Sequence, residues 1–270
     1  MYERLRDALR AQRPAALVTR LDPGGGPAGA RVLVVQDRGA PPDVEGSLGD
    51  PELDRVVLRD ALGELEAGRS GIRHYGPHGE NGQLDVSVFI ESFAPPPTML
   101  IFGAVDFTAA LVRVAKVLGY RVTVCDARPA FATARRFPLA DEIVVDWPHR
   151  LLEDVGPRLG AADAVCVLTH DHKFDVPALM ACFGTDVGYI GAMGSRRTTE
   201  DRARRLREAG ADEEMLARVH APIGLDLGAR TPEETAVAIC AEVIAARAGR
   251  GARSLSQSTG PIHDPEVLAR

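Results

Sequence analysis

The residues best placed to do chemistry lie in the second half of the chain. Thr98–Asp126 reads TMLIFGAVDFTAALVRVAKVLGYRVTVCD: an apolar run to Gly103, a segment with apolar residues at helical spacing, and a β-branched run ending in an acid. That is the form of a nucleotide-binding βαβ unit, where the turn after the first strand cradles phosphates and a carboxylate about 20 residues on holds a ribose. Gly103, Ala104, Val105 and Asp106 would form the turn, and Asp126 with Arg128 the ribose end. Further on, Gly194-Ser195 opens a polar helix with Arg196 and Arg197 at its start. A helix N-terminus disfavours cations unless an anion is also present, so two arginines there point to a bound phosphate or acidic group. The competing reading is that both are solvated and pair with Glu200 and Asp201.

Thr169 and His170 close another strand-like run, and His170 and His172 flank Asp171. Two histidines one residue apart, with no third ligand evident, make a poor metal site, so His170 is expected to hydrogen-bond a ligand, the alternative being a structural turn residue. Asp175, before Val176-Pro177, reads as a helix N-cap. His220 is either an acid–base group or a packing histidine in a turn. Cys125, Cys166, Cys182 and Cys240 are far apart, show no CxxC and have no basic neighbour in sequence, so they read as free core thiols. No Ser/His/Asp signature for acyl transfer is present.

Alternating strands and helices must position these groups. Strands are expected at Met99–Gly103, Arg121–Asp126, Glu142–Asp146, Ala164–Thr169 and Val187–Gly191, with helices at Thr108–Leu118, Pro148–Leu159 and Val176–Phe183 and an irregular or short helical crossing at Ala130–Phe137. Such alternation calls for right-handed crossovers and a parallel sheet covered on both faces. The first and fourth strands then lie side by side at the topological switch point, where ligands bind. Val219–Gly228 is expected to form a packed loop over that crevice, and Thr231-Pro-Glu-Glu to open a helix to about Arg247.

Upstream, a helix is expected at Glu3–Gln12, strands at Ala15–Leu21 and Arg31–Gln36 joined by the loop DPGGGPAG, a helix at Pro51–Glu66 with Asp50 as N-cap, and strands at Ile72–Tyr75 and Leu84–Phe93. The loop lacks the GKS or GKT of a phosphate loop. Pro95–Pro97 is a stiff linker. The organisation expected is a small α+β domain over 1–94, a linker over 95–97, a Rossmann-like α/β domain over 98–250 and a mobile tail over 251–270.

Composition narrows the class. With 270 residues, 45% of them hydrophobic, the chain can bury a sizeable core. A net charge of −6 leaves no surplus to neutralise a phosphate backbone, which disfavours nucleic-acid binding. No apolar run approaches membrane-spanning length, and the charged amino terminus lacks a signal-peptide core, so a soluble cytoplasmic protein is expected.

The strings Arg121–Pro129 (RVTVCDARP), Asp141–Asp146 (DEIVVD), Leu168–Asp171 (LTHD), Tyr189–Arg197 (YIGAMGSRR), His220–Gly228 (HAPIGLDLG) and Thr231–Glu234 (TPEE) occur in this order. Together they resemble the Rossmann domain of the xanthine dehydrogenase accessory family, XdhC/CoxI. Gly29–Leu33 and Gly46-Ser47 resemble the family's smaller domain more faintly. The resemblance implies an accessory protein that binds the molybdenum cofactor as molybdopterin or its dinucleotide, a non-catalytic role being favoured over an enzymatic one without being fixed by the sequence. It further implies that the protein presents the cofactor to a cysteine desulfurase for sulfuration and helps insert it into a molybdenum hydroxylase apoenzyme. The cofactor contacts it implies are Gly103, Ala104, Val105, Asp106, Asp126, Arg128, Thr169, His170, Gly194, Ser195, Arg196, Arg197 and His220, with no resident metal. An apolar terminal helix, Ala236–Ala246, is compatible with a homodimer.

Two departures matter. The family's turn usually reads Gly-Ala-Gly-His, whereas here Val105 puts a Cβ where pyrophosphate would approach, and Asp106 adds negative charge. The family also commonly carries Ser-Gly-Gly-Cys after Gly-Ser, and this chain has no cysteine there. The alternatives are therefore an NAD(P)-dependent oxidoreductase with a degenerate glycine turn, and a ligand-free scaffold that binds only the partner enzyme.

Overall fold

The computed structural model describes residues 1–21, 29–37, 40–80 and 84–257. The expected loop over 22–29, except for its last residue, and the end of the expected tail lie outside the described residues. The chain forms two compact units that divide between Pro95 and Pro96.

The first unit comprises α1 (Tyr2–Arg10), β1 (Ala15–Arg20), β2 (Arg31–Val35), β3 (Asp43–Gly46), α2 (Pro51–Ala67), β4 (Gly71–Tyr75) and β5 (Val86–Phe93). Its antiparallel sheet has the order β3-β2-β1-β5-β4. Alternation along β1 sends Ala16 and Val18 towards Leu53, Val57 and Ala61 of α2, and Ala15 and Leu17 towards Ala8 and Leu5 of α1. The α2 start follows from sequence: the Asp50 carboxylate accepts from the Glu52 and Leu53 N–H groups, and Pro51 occupies the first turn. At the position where the family commonly carries its cysteine motif, Leu48 is fully buried, and Asp54 accepts from both the Ser47 hydroxyl (2.6 Å) and the Leu48 N–H (2.7 Å).

The second unit continues with β6 (Thr98–Phe102), α3 (Asp106–Val117), β7 (Arg121–Cys125), β8 (Glu142–Val144), α4 (Pro148–Val155), β9 (Ala164–Val167), α5 (His172–Phe183), β10 (Tyr189–Ala192), α6 (Arg196–Glu208), α7 (Glu213–Ala217), β11 (Val219–His220) and α8 (Pro232–Arg247). Six parallel strands run in the order β11-β10-β9-β6-β7-β8, the doubly wound arrangement. The first strand, β6, pairs with the fourth, β9, from Met99 against Ala164 to Phe102 against Val167. Apolar residues pack on both faces, as a sheet buried on two sides requires: Ile101, Val124 and Leu168 meet Leu111 of α3 and Ile239 of α8, while Phe102, Val167 and Ala192 meet Leu152, Leu179 and Leu206 of α4, α5 and α6.

Of the two alternatives for residues 130–137, the irregular crossing is the one observed, a series of turns. Several elements differ from the sequence expectation. α5 begins at His172, four residues earlier than expected, because the Asp171 carboxylate caps it by accepting from Lys173 N–H. Pro177 consequently lies inside the helix, and Asp175 is not its N-cap. β3, β11 and α7 were not anticipated; each is five residues or shorter, too brief for a periodic signal.

The fully buried Leu111 bridges α3 to the sheet. Leu111→Ala is expected to cost about 2–5 kcal/mol of unfolding free energy, read from the denaturant midpoint at unchanged slope; a loss under ~1 kcal/mol would contradict this packing.

Candidate functional site

The carboxyl ends of the parallel strands bring most of the candidate residues to one edge of the second unit. After β6, the backbone turns at Gly103, whose φ of +111° suits glycine. A Cβ there would lie 2.8 Å from Thr169 Cγ2 and 3.2 Å from Thr169 N, so the exits of β6 and β9 touch directly.

Three of the four N–H groups of this turn have acceptors within the protein. Gly103 donates to Cys125 O (2.9 Å), Ala104 to Asp126 Oδ2 (2.8 Å) and Val105 to Thr108 Oγ1 (3.2 Å), while the Thr108 hydroxyl donates to Gly103 O (2.5 Å). Thr108 stands at the third glycine position of the dinucleotide pattern, and its hydroxyl ties the turn to itself. Asp126 is buried and also accepts from Arg128 N (3.0 Å), Nε (2.9 Å) and Nη2 (2.7 Å). A carboxylate has about four acceptor positions, and here four donors occupy them. Asp126 is thus engaged in closing the turn. Asp106 is exposed and lies 3.8 Å from the Arg136 guanidinium, which also caps Ala104 O (2.9 Å).

Arg128 lies over the Phe131 ring at 4.5 Å, a cation–π contact. At the exit of β8, Trp147 stacks on Phe174 of α5, with ring centroids 4.7 Å apart. Trp147, Phe174 and Arg136 were not singled out from sequence, because nothing in their local patterns marks them as site residues.

At the exit of β9, Thr169 is buried and its hydroxyl donates to Asp175, while His170 is exposed. Asp175 is buried and accepts from Arg202 Nη2 (3.0 Å), which also donates to Met193 O (2.7 Å). One buried ion pair therefore links the exits of β9 and β10 through α5 and α6, a link that no sequence spacing reveals.

At the exit of β10, Ser195 caps α6 by accepting from Thr198 N–H (3.1 Å). Arg196 and Arg197 are exposed, and neither side chain has an ion pair or hydrogen bond to any described residue. Of their two expected partners, Asp201 is taken by Arg204 and Arg205, and Glu200 is exposed and pairs with neither arginine.

His220 sits on the outermost strand, stacked on Tyr189 at 4.7 Å, with Nδ1 3.8 Å from Glu242 Oε1. Glu242 also accepts from Tyr189 Oη (2.5 Å) and Gly224 N–H (2.8 Å). Burial would raise the Glu242 carboxyl, but these partners hold it below the usual value. The 219–228 loop is fastened to β10 and α8: Ile223 donates to Ala192 O and Leu225 to Ala238 O. An apolar groove of about 330 Å³, lined by Leu227, Gly228, Glu233 and Val237, lies at the start of α8 and not at the switch point.

All four cysteines are buried and free. Burial pushes the Cys125, Cys182 and Cys240 thiols up to about 12, and Cys166 up as well, so none is poised as a thiolate at neutral pH. Among the described residues no three His, Cys, Asp or Glu side chains gather as metal ligands, and no helix is long and apolar enough to cross a membrane.

Burial opposes the charge on Asp126, but the donors from Arg128 and Ala104 outweigh it and hold the carboxyl below the usual aspartate value. A carboxyl held low stabilises the fold above its unfolded value of about 3.9, and that contribution is lost as pH falls through the folded value. Asp126→Asn is therefore expected to lose about 1–3 kcal/mol at pH 7, with the gap to wild type narrowing progressively below about pH 4. Urea midpoints across pH 3–7 check this; a gap independent of pH would refute it.

Comparison with known proteins agrees with this architecture. Residues 99–243 match the XdhC Rossmann domain, and residues 8–76 match the XdhC and CoxI family. Among curated proteins, the chain is 32% identical over 161 residues to a probable xanthine dehydrogenase subunit of Bacillus subtilis, covering 60% of this chain and 46% of that protein. It is 28% identical over 159 residues to the "Molybdenum cofactor insertion chaperone PaoD" of Escherichia coli, covering 59% of this chain and 43% of that protein. It is also 28% identical over 238 residues to the uncharacterized Escherichia coli protein YqeB, covering 80% and 43%. The chain thus spans less than half the length of these relatives. A solved Bacillus halodurans structure described as a xanthine dehydrogenase superposes with a TM-score of 0.54 at 20% identity, covering 94% of this chain and 97% of that one, a likeness of fold. With one family match in each unit, and the Rossmann match alone spanning more than half the sequence, the chain belongs to the XdhC and CoxI family.

Proposed function

We propose that this chain is an accessory factor that binds the molybdenum cofactor as cargo and helps deliver it to a molybdenum hydroxylase apoenzyme. The observation that carries the reading is the pair Arg196–Arg197 at the start of α6, exposed at the strand ends with no counter-ion among the described residues. The Arg196 and Arg197 N–H groups, at the first two helical positions, have no intrahelical acceptor. Uncompensated cations beside such amides suit a phosphate. His170 and the Arg128–Phe131 stack supply hydrogen-bonding and flat contacts for the heterocycle of the same cargo. The relative named as a molybdenum cofactor insertion chaperone supports the choice of cargo.

In this reading a cysteine desulfurase is the partner that supplies sulfur to the bound cofactor, and the chain itself contributes no thiolate, since its four cysteines are buried. Binding is the chain's contribution, in the cytoplasm and as a monomer or homodimer. The rival, an NAD(P)-dependent oxidoreductase, is disfavoured because the Gly103, Ala104 and Val105 N–H groups and the Asp126 acceptors are consumed within the protein.

The test is a calorimetric titration with molybdenum cofactor released from a donor enzyme, beside NAD⁺. The cofactor is expected to bind, the Arg196→Ala/Arg197→Ala variant to bind at least about tenfold more weakly through loss of charge-assisted hydrogen bonds, and NAD⁺ not to bind. Binding of NAD⁺ alone would overturn the proposal in favour of the oxidoreductase.

A further inference from the structure

A buried cation lies beneath the turn that opens α6. Arg202 stands two turns into the helix, and because helical side chains slant towards the N-terminus, its guanidinium reaches back under Gly194. Only 5% of the side chain is exposed. Nη2 is satisfied by Asp175 and Met193 O, but Nη1 and Nε have no acceptor. Thr199 Oγ1, three residues earlier on the same face, is likewise buried without a partner.

These orphaned groups have a direction. A Cβ on Gly194 would point between Thr198 (3.2 Å from its Cβ) and Arg202 Nη1 (3.6 Å), so glycine leaves clear the space through which Nη1 faces the turn. Three of the five guanidinium donors are without an acceptor. Leaving a buried donor unsatisfied costs free energy, and an orphan charged donor in a folded protein calls for a ligand, ion or water that completes it. Burial pushes the Asp175 carboxyl up, against the pull of Thr169 and Arg202. Above the turn stand the N–H groups of Arg196 and Arg197 and their two exposed side chains.

We propose that the Gly194–Arg197 turn is a phosphate subsite with Arg202 as its buried floor, and that Asp175 and Thr169 hold this floor in place from the exit of β9. The ligand class is a phosphate monoester or diphosphate, whose oxygens settle on the turn and draw on the donors of Nη1 as Gly194 yields. The subsite rests on the function proposed above only for the identity of the molecule that carries the phosphate. It displaces the phosphate site of a doubly wound domain from the first turn, where Gly103, Ala104 and Val105 N–H already have acceptors, to the fifth.

The experiment is calorimetry of the full chain with inorganic pyrophosphate and, separately, with molybdenum cofactor, each variant checked by thermal melting. Arg202→Met is expected to weaken pyrophosphate binding tenfold or more, and Arg202→Lys to restore part of the affinity by restoring the charge. Gly194→Ala, which fills the space over Nη1 and removes no charge, is expected to weaken it as well. Should Arg202→Met fail to fold because Asp175 is left unpaired, Asp175→Asn/Arg202→Met removes both charges and carries the same expectation. Wild-type protein that ignores pyrophosphate, or a folded Arg202 variant that binds it unchanged, overturns the subsite even if the cofactor binds. Pyrophosphate binding that depends on Arg202, without any cofactor binding, upholds the subsite and overturns the cargo.

Discussion

The Asp126 carboxylate, buried at the end of β7, accepts one hydrogen bond from the Ala104 N–H and three from Arg128. In a dinucleotide site both ends of that contact would be offered to the ligand: the amide to pyrophosphate and the acid to ribose. Here they satisfy each other, and Thr108 ties off the next N–H. On this side of the crevice the Gly103, Ala104 and Val105 N–H groups and the Asp126 carboxylate are thus satisfied within the protein. Gly103 packs this side against Thr169, fixing the spacing between β6 and β9 at the switch point.

With these groups satisfied, binding capacity shifts to the exits of β9 and β10. The chain as a whole is acidic, with a formal net charge of −6, so an uncompensated positive patch is a local feature and not a consequence of composition. Asp201 is committed to Arg204 and Arg205, Asp175 to Arg202 and Thr169, and exposed Glu200 makes no ion pair with Arg196 or Arg197. The buried Asp175–Arg202 pair couples two neighbouring strand exits, so a ligand resting on α6 is linked mechanically to the α5 wall. Buried ion pairs are poor sources of net stability, which leaves positioning as the better account of this one.

Much of this was legible in the sequence. Continuous apolar runs separated by helical spacing dictated a parallel sheet, and connection rules placed its first strand beside its fourth. Asp50-Pro51 and Thr231-Pro232 announced the starts of α2 and α8 through capping chemistry that acts within a few residues. What escaped was long-range. Asp175 reads locally as a cap because it precedes Val-Pro, yet Asp171 caps the helix and Asp175 pairs with Arg202, 27 residues away. Arg202 looks like one of many arginines on a polar helix, and only packing shows it to be buried. The quenching of Asp126 was equally hidden, since the same acid in the same position binds ribose when the turn leaves it free.

Amide hydrogen exchange with and without molybdenum cofactor decides between the two candidate turns, because they lie on different peptides and the ligand protects the one it occupies. Slowed exchange at residues 169–175 and 193–202, with residues 103–108 unchanged, is the expected result. Protection concentrated at 103–108, with none at 193–202, would show that the first turn opens to the ligand after all, and would contradict the placement of binding at the fifth.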